Sequence, residues 1–137
     1  ADDLRRYLPT KRLPRVCRWN DGRFTDWGRP DPEVARGFTE RLADEVDAAR
    51  RRGDTAVAVV HHAPFEALVP ERMDVRWSFC RAFAGSRAAG EALAAAGGVR
   101  AVLCGHIHKP QRIAVGGMEV LDVAFSPARP EWTLLEV

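Results

Sequence analysis

Cysteine is scarce in this 137-residue chain: Cys17, Cys80 and Cys104 stand far apart and no CxxC pair occurs. That spacing gives no basis for a cysteine zinc site or a disulfide framework. Cys17 and Cys104 fall inside apolar runs and read as small core residues, and a reducing, cytoplasmic setting is the default. Long hydrophobic runs are lacking as well. The longest, residues 55–60, is far too short to span a bilayer, so no membrane partner is expected. Ala1-Asp2-Asp3-Leu4-Arg5-Arg6 contains no apolar stretch of the signal-peptide kind. Charge of one sign is also missing. Lys+Arg of 21 against Asp+Glu of 19 leaves a net charge of +2, and the basic residues are dispersed, so no specific nucleic-acid surface is indicated. No internal repeat occurs and no initiator methionine is present, which reads as a processed product or a piece of something longer.

What the chain does contain is ordinary for a folded protein, with 46% hydrophobic and 29% charged residues. A chain of this length buries roughly two-thirds of its unfolded surface, so residues 1–137 are expected to form a single domain. Residues 1–30 are irregular, punctuated by Pro9, Pro14, Gly22, Gly28 and Pro30, with a short strand over 15–19 ended by Asn20-Asp21-Gly22. A helix then starts with Asp31 as N-cap, Pro32 in the first position and Glu33 at the positive dipole end. Val34, Phe38, Leu42, Val46 and Ala49 form its apolar stripe, and Arg50, Arg51, Arg52 and Gly53 end it. Residues 55–60 are β-branched and continuously apolar, the pattern of a strand covered on both faces. Helical stretches over 77–84 and 86–96 follow, stopped by Gly97-Gly98, and a second buried-type strand runs over 99–104. Strand, helix, strand makes a crossover unit with parallel strands and a right-handed connection. Gln111–Val115, Gly116-Gly117 and residues 118–123 read as a hairpin with a two-residue turn, and 132–137 as a further strand.

All four histidines lie in two places, His61-His62 and His106-Ile107-His108, each just beyond the end of a buried-type strand. Parallel strands of one unit point their carboxyl ends the same way, and ligands bind at that rim of open α/β sheets. Several imidazoles on one rim suit a divalent transition metal. An extended backbone through His106-x-His108 would send both rings to one face, for one ion or two neighbouring ions.

Val59-Val60-His61-His62-Ala63-Pro64 resembles the HHxP segment, and Gly105-His106-Ile107-His108 the GHxH segment, of the calcineurin-like metallophosphoesterases. The resemblance covers the chain from about Trp19 onward. It implies an α/β fold that is part of a layered α/β/β/α sandwich, with a parallel βαβ core followed by a C-terminal hairpin. It also implies phosphoester hydrolysis by a metal-bound hydroxide at a binuclear centre of Mn, Fe or Zn, acting on a small-molecule phosphoester. His61 and His106 would ligate one metal and His108 the other, while His62 would brace His61 or face the phosphate as a catalytic group.

The family's DxH, GDxxD and GNH motifs do not occur. No Asp stands two residues before a His, Gly53-Asp54 is followed by Val57 where a second Asp belongs, and the single asparagine is Asn20. The chain thus resembles the C-terminal half of such an enzyme. Two neighbouring dications repel and require anionic ligands, so this chain alone is expected to hold at most one metal, weakly, and to be inactive without a complementary N-terminal segment. Asp122 and Glu66 could offer a carboxylate but read first as solvated surface charges. Lys109 reads as solvent-exposed, Arg72, Arg76 and Arg81 as a charged helix face with the alternative of contacting phosphate, and Trp77, Phe79 and Phe83 as packing. Two other functions stay open: a non-catalytic binding or assembly half-domain, and an unrelated mononuclear zinc hydrolase using His61, His106 and His108.

Overall fold

A computed structural model describes residues 2–123 and 134–135. In chain order the elements are α1 (Asp2–Arg5), β1 (Arg12–Leu13), β2 (Cys17–Arg18), α2 (Asp21–Phe24), α3 (Asp31–Arg52), β3 (Ala56–Val59), α4 (Val75–Cys80), α5 (Arg87–Ala96), β4 (Val99–Cys104), β5 (Gln111–Val115) and β6 (Met118–Asp122). The strand expected over 132–137 lies outside the described residues apart from 134 and 135, which have no regular structure. No helix among the described residues is long and apolar enough to cross a membrane.

Helix α3 forms where the acidic start, apolar stripe and arginine-rich end placed it. Its last turn closes on Gly53 at φ 78°, whose N–H donates to the carbonyls of Ala49 and Arg50. Its start differs by one residue. Pro30 is the N-cap, and the Asp31 carboxylate meets Lys11 Nζ at 2.8 Å rather than capping the helix. Lys11 is only 9% exposed, and a buried ammonium needs an anion more than a helix end needs a cap. Val34 and Val46 are buried, whereas Phe38 stays 60% exposed beside Trp27. Near the N-terminus, Arg15 at φ 60° breaks the strand expected over 15–19, leaving the two-residue strand β2 paired with β1.

The main sheet is mixed, in the order β3-β4-β6-β5. β3 and β4 are parallel, as the crossover reading requires, and α3 and α5 pack on one face. Val46 of α3 and Leu93 of α5 join Ala58, Val102, Met118 and Val120 of the strands in one apolar core. The hairpin closes through Gly116 and Gly117 at φ 56° and 84°, the positive values a two-residue turn of this hand needs. Its second strand, not its first, lies beside β4, and in parallel. The segment 105–110 therefore crosses over the end of β6, from Cys104 on one side of Asp122 to Gln111 on the other.

β3 corrects an expectation. It is an edge strand among the described residues, and Val57 and Val59 are 38% and 75% exposed, so only one of its faces is covered. Apolar continuity reports what a strand could bury, not what lies against it.

Candidate metal centre

β3, β4 and β6 run parallel, so their carboxyl ends share one rim. Val60 N–H donates to the Leu103 carbonyl and Gly105 N–H to the His61 carbonyl, which locks the two histidine segments side by side. Two close backbone approaches hold the first segment from behind. A Cβ on Gly85 would lie 2.2 Å from the Ala63 carbonyl oxygen, and one on Gly90 of α5 2.0 Å from that of Pro64. Only glycine fits at either position.

His106 Nδ1 lies 3.0 Å from His61 Nε2. The ring centroids are 4.9 Å apart for His61 and His106, 5.0 Å for His61 and His62, and 4.5 Å for His62 and His106. One nitrogen from each ring falls within 4.8 Å of the other two. His62 thus lies beside both His61 and His106. His108 stands apart from the trio. His106 and His108 adopt φ 71° and 56°, so the backbone between them is not extended, and the argument that they share a face does not apply. Positive φ for histidine is uncommon, and both residues lie in the segment that crosses the end of β6.

Burial, then His62 and His61, push the His106 pKa down to about 4, against the opposing field of Asp21. Burial and then His61 lower that of His62, again opposed by Asp21. Both rings are neutral at pH 7 and keep a lone pair for a cation. Asp21 is the functional neighbour that sequence reasoning missed. Trp19 Nε1 donates to its carboxylate at 2.9 Å, and Trp19 leans on His106 at 5.5 Å and stacks on Phe83 at 5.4 Å. The turn-like Asn20-Asp21-Gly22 had disguised it; those residues instead open α2, against the histidines.

Asp122 corrects the surface-charge expectation. It is 3% exposed, and neither carboxylate oxygen has a hydrogen-bond partner among the described residues. Burial raises its pKa to about 6, and His108 pulls the other way. Glu66 does lie at the surface, paired with Arg81. Arg72 rests on the Trp77 ring, and Arg76 and Lys109 are exposed. Phe79 is fully buried and Phe83 half-buried.

The donor set suits a single ion. Zinc–nitrogen bonds of about 2.0–2.1 Å at tetrahedral angles separate neighbouring ligand nitrogens by roughly 3.3 Å, close to the 3.0 Å between His106 Nδ1 and His61 Nε2 and within the 4.8 Å that bounds the trio. The same set does not suit an adjacent second ion, because no carboxylate among the described residues lies within the cluster. No protein-family model, curated protein or solved structure matches the chain.

Proposed function

We propose that this chain contributes the imidazole ligands of a metal-dependent phosphoesterase, in keeping with its resemblance to the calcineurin-like metallophosphoesterases. The observation that carries the reading is the convergence of His61, His62 and His106 on one point at the carboxyl ends of two adjacent parallel strands. A divalent cation supplies Lewis acidity toward a phosphoryl oxygen and toward water. His61 and His106 would hold it through Nε2 and Nδ1, which already face each other. His62, exposed on the outer side, either completes that set or donates a ring N–H to a phosphate oxygen. The negative field of Asp21, which favours positive charge at both His62 and His106, also favours a cation between them.

The finer fold reading is one sheet of an α/β/β/α sandwich, supported by a sheet that carries helices on one face and leaves Val57 and Val59 open on the other. The same open face and the free edge of β3 would receive a complementary segment bringing carboxylates, and with it a second metal bound through His108.

A mononuclear zinc hydrolase is the second reading, favoured by the single point on which the three rings converge. Metal analysis after zinc or manganese equilibrium dialysis tests both. One ion per chain is expected, with His61→Ala and His106→Ala each weakening it by roughly tenfold or more. His108→Ala should leave that first ion in place. Aryl phosphate hydrolysis only on adding a complementary segment, with two ions per assembly, supports the phosphoesterase. Hydrolysis by the one-ion chain supports the mononuclear enzyme. A chain retaining neither metal defeats both.

A further inference from the structure

Beside the histidines lies a cavity of about 580 Å³, with His61 and His62 at one end. Its wall is apolar: Val34, Phe38 and Leu42 from α3, Val59 from β3, and Trp27 from the preceding loop. Trp27 and Phe38 meet edge to face with centroids 6.2 Å apart, yet remain 50% and 60% exposed. Aromatic side chains that touch each other but leave half their surface in water offer a further ring a place to stack.

The charges around this space narrow what it accepts. Lys11 and Arg41 are its lining cations, and each is already paired, Lys11 with Asp31 at 2.8 Å and Arg41 with Glu45 at 2.8 Å. Both of those acids line the cavity too, and Asp21 adds a third. Among the described residues, two cations against three acids leave no free positive charge for a second phosphate.

We infer that this cavity seats the organic group of a phosphate ester, and that the group is flat, aromatic and free of negative charge. The phosphoryl end of the assignment rests on the function proposed above; the aromatic seat rests on Trp27, Phe38 and the paired cations alone. A volume of this size accommodates a one- or two-ring group with space for the ester oxygen to reach the histidine end. Nucleoside diphosphates and other polyphosphates are disfavoured, because their additional charge would face Asp21, Asp31 and Glu45.

The test is calorimetric binding of 1-naphthyl phosphate, methyl phosphate and metal-free 1-naphthol to the zinc-equilibrated chain, its Trp27→Ala and Phe38→Ala forms, and a chelator-treated sample. The naphthyl ester should bind about tenfold or more tighter than the methyl ester, and each truncation should weaken it about fivefold. Both side chains are largely exposed, so circular dichroism should report an unchanged fold. Equal affinity for the two esters, or truncations without effect, overturns the assignment. Naphthol bound with the same dependence on Trp27 and Phe38, in a chain that takes up no zinc, upholds the aromatic seat and defeats the metal reading. A dimer in sedimentation that dissociates on either truncation would make a second copy the occupant and overturn it as well.

Discussion

Asp122 is a carboxylate with neither oxygen partnered among the described residues and almost no access to water, a costly arrangement when it is ionised. Its pKa is about 6 in the folded state against an ordinary 3.8, so between those values the native protein holds more protons than the unfolded chain. Stability present below that window is therefore lost as pH rises through it, by up to about 3 kcal/mol. His106 acts in the opposite sense. Its depressed pKa of about 4 makes the unfolded chain the better proton binder up to about 6.5, so that contribution grows with pH. The two slopes offset one another in the wild-type protein. Asp122→Asn removes one of them, and in chelator-treated protein the variant should match the wild type near pH 4 and exceed it by up to about 3 kcal/mol at pH 8. Urea unfolding across that range measures the difference. A variant less stable at pH 8 would mean that the folded chain stabilises the ionised carboxylate, and would overturn the burial cost assigned to it here.

At the scale of elements, the geometry of the histidine cluster depends on how closely α5 approaches the segment that carries His61 and His62. Ser86 caps that helix by accepting from the Ala89 N–H at 3.3 Å, and Gly90 then passes against the Pro64 carbonyl. Mid-helix glycine ordinarily costs about 1 kcal/mol relative to alanine, so Gly90→Ala would stabilise an unencumbered helix. Here the added methyl would sit 2.0 Å from a backbone oxygen, which cannot swing aside as a side chain can. We expect Gly90→Ala to lower stability by about 2 kcal/mol or more in denaturant unfolding. It should also weaken zinc retention, because Pro64 moves with His62. Ser86→Ala, by contrast, should cost about 1 kcal/mol and leave zinc retention alone. Comparing the two separates loss of helix stability from displacement of the site. If both variants keep zinc equally well, α5 is not what positions these imidazoles.

At the scale of the whole molecule, what was legible from the sequence is what local chemistry determines. The length of α3 follows from its acidic start and from Arg50-Arg51-Arg52-Gly53, and the hairpin follows from Gly116-Gly117. The meeting of His61 with His106 could be read because parallel neighbouring strands share a rim. The insertion of β6 between β4 and β5 could not, since strand order depends on pairings distant in sequence, and two consequences followed from it. Within the crossing segment His106 and His108 take positive φ, and Asp122, at the end of β6 that the segment passes, is buried. Neither is written in residue type. The exposure of β3 is likewise a property of neighbours, and it leads to the last prediction. An edge strand presents unpaired backbone groups, and here it also presents Val57 and Val59 toward water. Such a surface pairs with whatever strand it meets, and in a purified sample that is another copy of the chain. Val59→Lys places a charge on this exposed strand, next to the cavity that Val59 helps to line, without touching the covered face where Ala58 is buried. Sedimentation should show concentration-dependent association in the wild type and its reduction in Val59→Lys, while one ion per chain is retained. If a complementary segment docks at this edge, the same substitution should abolish the complementation. If Val59→Lys associates as strongly as the wild type, another part of the surface must be responsible, and the edge of β3 loses its claim as the docking site.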